Sequence, residues 1–175
     1  MTLMSTTEQI ILSNLYTAKE GFYAAVSWLN QLKDHGLKPH VFTTDGERSV
    51  LRAILSLWPQ ARLQRCLYHL QHEGCRWLRT YPKTEAGKQL RQLLLTLTSI
   101  RSVKERNDFL SAFKAWRNRY QPFVLSLPMN IKAHFDLKRT ITLLNNALPI
   151  MFHYLMDPNI HTTTNAREGW HSRII

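Results

Sequence analysis

The spacing of apolar positions changes character near residue 70. Up to there, short apolar runs alternate with stripes at helical period, whereas the next ninety residues carry helical stripes only. Residues 9–16 hold Ile10, Ile11, Leu12 and Leu15 and read as a strand. That strand would follow almost directly on the initiator methionine. Residues 17–36 read as a helix. Thr17 and Glu20 form a capping-box pattern, Phe22, Ala25, Val26, Leu29 and Leu32 make the apolar stripe, and Gly36 offers a stop. A second strand is expected at 41–44, after Pro39. A helix through Val50, Leu51, Ile54 and Leu55 follows, ended by Pro59. Residues 61–66 read as a third strand that runs into another helix at about Tyr68. Strand and helix thus alternate three times, which predicts an α/β layer with a partly parallel sheet.

Beyond that point the pattern predicts helices alone. One spans 84–97 behind Pro82. Ser102 with Glu105 opens the next, through Phe109, Leu110, Phe113 and Trp116 to about Tyr120. Pro122 and Pro128 punctuate an expected linker. Residues 133–154 are mostly helical with a break near Pro149. A polar loop at 159–165 leads to a final helix that begins at Ala166. The expected organisation is therefore a strand-and-helix part at 1–70, a helical insertion at 71–160, and the start of a further core helix at 161–175.

Composition adds a partner class. The chain has 175 residues, 44% of them hydrophobic, enough for a real core. Lys and Arg number 23 against 12 acidic residues, a formal charge of +11. The excess is spread along the chain, so it predicts a folded basic surface for an anionic partner, nucleic acid before acidic membrane. Two cysteines make no disulfide framework. The first residues lack a basic leader ahead of an apolar core, and no apolar run approaches the roughly 20 residues that span a bilayer. A soluble, reducing, cytoplasmic setting is the expectation.

Three groups of residues carry candidate chemistry. Asp45 ends the second strand and is followed by Gly46. It reads either as a D-G hairpin turn or helix cap, or as a functional carboxylate at the carboxyl end of a strand. Against the hairpin, a helical pattern follows Gly46. Glu168 has the same two faces: with Asn165 it completes a capping box, or it presents a carboxylate on the first turn of a helix. Cys66, His69, His72 and Cys75 recur every three residues, and cysteine with histidine can hold zinc. On one intact helix the four would fan over about half the circumference, too widely for one ion. The basic residues, with Trp77, Trp116 and Tyr120 among them, read singly as solvated faces and together as phosphate contacts.

Several strings together resemble a known family. Thr43-Thr44-Asp45-Gly46, Ala53-Ile54, Trp58-Pro59-Gln60-Ala61 and Gln64-Arg65-Cys66-Leu67-Tyr68-His69 stand in order. Lys83-Thr84, Ala86-Gly87-Lys88 and the closing Thr163-Thr164-Asn165-Ala166-Arg167-Glu168 follow, with His171-Ser172-Arg173 after them. The set resembles the Mutator-type transposases of bacterial insertion sequences, over nearly the whole chain.

The resemblance implies a partial RNase H-like core with a large all-helical insertion before the last catalytic glutamate. It implies DDE-type cleavage and strand transfer at two divalent ions, Mg²⁺ or Mn²⁺. Asp45 would be the second aspartate and Glu168 the glutamate, both catalytic and both metal ligands. His69 would lie close to the reacting DNA. Arg48, Arg62, Arg65, Lys138 and Arg139 would contact DNA, both element ends and target. No membrane partner or small-molecule substrate is implied. The family's first aspartate has no counterpart, since no aspartate precedes Asp34. The expectation is thus a fragment, catalytically incomplete alone, with an exposed strand edge that favours self-association into homo-oligomers. The competing reading is a non-catalytic basic nucleic-acid-binding protein.

Overall fold

The structure is a computed structural model and describes residues 2–4, 11–14 and 21–163. The chain divides into two compact units. One holds the residues up to Cys66 together with the described residues from Asp157 onward, and the other is Leu67–Met156.

Among the described residues, the first unit carries two separate ladders. β1 (Thr2–Met4) and β2 (Ile11–Asn14) pair antiparallel, Thr2 opposite Asn14, with an irregularity after Leu3. β1 is only three residues long, too short for periodicity to announce it. α1 (Phe22–Asp34) starts at Gly21 without a side-chain cap, while the expected Thr17–Glu20 capping pair lies outside the described residues. β3 (Val41–Thr44) and β4 (Arg62–Arg65) pair in parallel, Val41 opposite Arg62 and Thr44 opposite Arg65. The bonds Arg62 N to His40 O (2.8 Å) and Cys66 N to Thr44 O (2.7 Å) extend that ladder at both ends.

Between them runs α2 (Arg48–Leu57), packed on α1. Ala25, Leu29, Ala53 and Ile54 are buried. Lys33 Nζ donates to Leu57 O at 2.8 Å, closing a carbonyl at the end of α2, and the Arg52 guanidinium lies 4.9 Å over the Phe22 ring. Phe42 meets Trp58 at 5.5 Å. β4 is buried at Leu63, Gln64 and Arg65 in succession, the continuous burial that a parallel strand shows when both faces are covered.

The second unit is helical: α3 (Leu67–Leu78), α4 (Glu85–Thr96), α5 (Val103–Ser126) and α6 (Lys132–Ala147), followed by single 3₁₀ turns at Leu148–Ile150 and His153–Leu155. Thr84 caps α4 by accepting from Gly87 N at 3.0 Å, and Ser102 with Glu105 forms the full capping box of α5. Leu70, Leu90, Leu94, Leu137 and Leu144 are wholly buried or nearly so. Trp116 Nε1 donates to Ala86 O at 2.9 Å, tying α5 to the start of α4.

One expectation fails here. Pro122 does not open a linker; it lies inside α5, which runs on to Ser126. Proline lacks the donor for one helical bond. Tyr120 and Val124, buried on either side of it, anchor the helix through that gap by packing.

Two outcomes follow. A Cβ at Gly74 on α3 would stand 2.7 Å from Leu94 Cδ1, and Leu94 is fully buried. Gly74→Ala gains helix propensity, about 1 kcal/mol, but overpacks the core at about 1–3 kcal/mol, so denaturant melting should show net destabilisation. Tyr154 donates to Ile100 O at 2.9 Å, and burial pushes its phenol up to about 12 from an ordinary value of 10.0. Its folded form holds the proton more tightly than its unfolded form. Stability contributed by Tyr154 is therefore full below about pH 10 and falls as pH climbs toward 12, readable by pH-dependent melting alongside phenolate absorbance.

Candidate active site

β3 and β4 run parallel in one register, so their carboxyl ends meet at the same edge of the ladder. Thr44 faces Arg65 there, and Asp45 and Cys66 are the next residues. Asp45 is exposed, and Cys66 is fully buried. The chain then turns into α2, not into a hairpin. Gly46 takes φ +84°, a region that side-chain-bearing residues avoid. Its N–H donates to Thr44 Oγ1 at 3.2 Å, and Glu47 N donates to Asp45 Oδ1 at 3.2 Å. The cap of α2 is Glu47, not Asp45: Glu47 Oε2 accepts from Val50 N at 2.9 Å and from the Ser49 hydroxyl. Partial burial works against the Glu47 carboxylate, but these bonds with that from Ser49 N hold its pKa below the ordinary value. Glu47 is thus committed to α2, while Asp45 faces solvent.

Arg65 fixes the turn from beneath. It is only 7% exposed, and its guanidinium fills the space where a Cβ on Gly46 would stand. A buried guanidinium therefore lies against the residue that follows Asp45. No local pattern announces this packing, because it depends on the register of two strands some twenty residues apart in sequence.

A second long-range link lies on the same strand. Thr43 Oγ1 donates to His161 O at 3.0 Å, across 118 residues of chain, and Ile160 is buried beside it in sequence. The segment that precedes Thr164 thus returns to β3 two residues from Asp45. Glu168 and its capping partner Asn165 lie outside the described residues.

The other expected site residues are placed as follows. Arg48 and Arg62 are exposed in the first unit. His69 is half-buried on the first turn of α3, edge-on to Tyr68 at 5.8 Å, and Tyr68 stacks on exposed His72 at 5.9 Å. Burial raises the Cys75 thiol pKa, with Arg91 pulling it the other way. α3 is intact through all of these positions. Among the described residues no group of three or more His, Cys, Asp or Glu side chains could hold a metal ion, so the zinc arrangement is not formed by them. Lys138 and Arg139 are exposed on α6. Arg139 donates to Asp136 Oδ1 at 2.6 Å and its guanidinium lies 4.6 Å over Trp77.

The donor chemistry of Asp45 fits a hard divalent cation, because a carboxylate at a solvent-facing turn offers oxygen ligands. One carboxylate is too few for a stable site, and the remaining ligands would have to come from other residues.

The parallel β3–β4 pair, joined by α2, carries the exposed Asp45 at its carboxyl edge, and the helical unit is strongly basic. The family described as Transposase, Mutator family, matches residues 6–140, well over half of the chain. The chain belongs to the Mutator family of transposases. The match includes Asp45, Cys66 and His69 and ends before Glu168. No curated protein and no solved structure matches the chain. No described helix is long and apolar enough to cross a membrane.

The packing at Gly46 gives a direct test. Gly46→Ala meets both the left-handed backbone and the Arg65 guanidinium. It should lose about 1–2 kcal/mol from the backbone alone, with more from displaced Arg65, measured by denaturant unfolding.

Proposed function

We propose that the chain is part of a DDE-type DNA transposase with an RNase H-like core, in which Asp45 and Glu168 hold divalent ions. The observation that carries the reading is the Thr43–His161 hydrogen bond. It returns the chain to β3 beside Asp45 just before the segment that ends in Glu168. Two distant stretches that each contribute one carboxylate are the arrangement such a site requires. Asp45 and Glu168 would hold Mg²⁺ or Mn²⁺, which would supply activation of the attacking oxygen and stabilisation of the leaving one.

The chain's own residues do the rest. Gly46 and Arg65 set the direction of the Asp45 carboxylate. The guanidinium beside the turn lowers the cost of bringing a phosphate toward it. Exposed Arg48 and Arg62 on the same unit, and Lys138 and Arg139 on the helical unit, hold the DNA backbone without reading its sequence. His69 acts near the scissile phosphate. With most of the +11 on the helical unit, binding is dominated by counterion release, so affinity for duplex DNA should fall on the order of tenfold or more between low and physiological salt.

The family's first aspartate has no counterpart ahead of Asp34, so this chain alone should give little strand transfer. The check is a Mg²⁺-dependent assay on element-end DNA. Robust activity that disappears in Asp45→Ala would place the missing carboxylate elsewhere in this chain.

The competing reading, a non-catalytic basic nucleic-acid binder, draws on the hydrogen bond from Glu47 N to Asp45 Oδ1, which suits a plain turn residue. Mn²⁺ titration followed by electron paramagnetic resonance separates the two. Asp45→Asn should weaken Mn²⁺ binding by at least about tenfold; equal binding by both proteins would remove Asp45 from the ligand set.

A further inference from the structure

The helical unit contains a cavity of about 330 Å³ that the proposed chemistry does not use. It lies between the end of α3, the loop before α4 and the first turns of α6. Leu78, Ile131 and Leu137 give it apolar walls, and the start of α4 closes one side at Thr84 and Gly87. Three cations, Arg79, Lys83 and Lys132, line it, and all three are exposed. Tyr81 lies at the same cavity with 88% of its surface open, a large aromatic ring with almost no packing of its own.

Two further features point to a ligand. Arg79 has φ +62°, making it the one non-glycine residue among the described ones in the left-handed region. It follows the last residue of α3, a place where glycine is the usual occupant. An arginine there keeps strained backbone in exchange for a guanidinium at the cavity wall. Asp136 is the second feature. It is 8% exposed, and Oδ1 is engaged by Arg139 at 2.6 Å with Lys132 at 3.9 Å. Its carboxylate lines the cavity and offers an acceptor in an otherwise cationic and apolar setting.

We propose that this cavity receives one unpaired nucleotide of a DNA strand. The proposal rests on the DNA-binding reading above and extends it to a specific subsite. Apolar walls and an open aromatic ring suit a base face, the cations suit its flanking phosphates, and Asp136 accepts from a base amine. The volume lies at the small end of ligand cavities, about 300–1,000 Å³, which fits a single nucleotide and not a base pair. A base inside a duplex has both faces covered by its neighbours, so a nucleotide that stacks on Tyr81 must stand outside the duplex.

The test compares two duplexes that differ only in one position, a 2-aminopurine either unpaired in a bulge or fully paired. The protein should bind the bulged duplex about tenfold more tightly, in line with one stacked base, and should change the emission of the unpaired base. Tyr81→Ala should abolish both effects and leave affinity for the paired duplex unchanged. Arg79→Gly relieves the backbone strain, so it should melt no lower than the unaltered chain while losing most of the bulge preference. Equal affinity for the two duplexes would overturn the subsite and leave the DNA-binding reading intact. A bulge preference that survives both substitutions would also overturn it. Failure to bind either duplex would instead overturn the DNA-binding reading, and the subsite with it.

Discussion

Everything at the candidate site depends on the single register in which β3 and β4 run parallel. Four residues on each strand are enough to bring Asp45 and Arg65 to the same edge, where the guanidinium occupies the space that Gly46 leaves empty. A slip of one residue would turn every side chain of β4 to the opposite face. It would exchange the surroundings of Leu63 and Arg65 with those of Gln64 and withdraw the cation from beneath the acidic turn. The buried Gln64 side-chain amide donates to Arg65 O at 2.8 Å, which satisfies it inside the core.

That constraint also explains the division of labour between two neighbouring acids. Glu47 and Asp45 are two residues apart, yet only Glu47 has its carboxylate taken up by the first turn of α2. A cap stabilises a helix typically by about 1 kcal/mol, so a dedicated capping residue frees the preceding acid from that task. Sequence pattern alone could not divide the roles, because Asp, Glu and Ser near a helix start all suit a cap. The left-handed Gly46 decides it by directing the chain so that Glu47 is the residue that meets the helix N–H groups.

Much of the helical unit was legible in the sequence. The Ser102–Glu105 box, the Thr84 cap and the stripes through Leu90, Leu94, Phe109 and Phe113 each arise from near neighbours, and near neighbours are what periodicity reports. The strand–helix alternation of the first unit was legible too, although β3 and β4 form a ladder of their own rather than joining β2 among the described residues. Pro122 misled, because a rule about one missing hydrogen bond was outweighed by the buried side chains of Tyr120 and Val124. The site was legible only as separate residues. Asp45 stood out at a strand end, but the burial of Arg65, which the resemblance placed among the DNA contacts, follows from strand pairing that no local pattern contains. The link from Thr43 to His161 is further still from local signals, and Glu168 lies outside the described residues.

The Thr43–His161 bond also has a temporal meaning. The helical unit is one continuous stretch, Leu67–Met156, whose contacts can all form once that stretch is synthesised. The strand unit is interrupted by it and gains its closing hydrogen bond only when His161 has left the ribosome. Closing so long a loop through an unfolded chain carries a large entropic cost, and a folded helical block in between shortens the effective loop. The ladder and the turn at Asp45 use residues 41–65 only, so the bond to His161 is a late addition to an edge whose other contacts a nascent chain can already make.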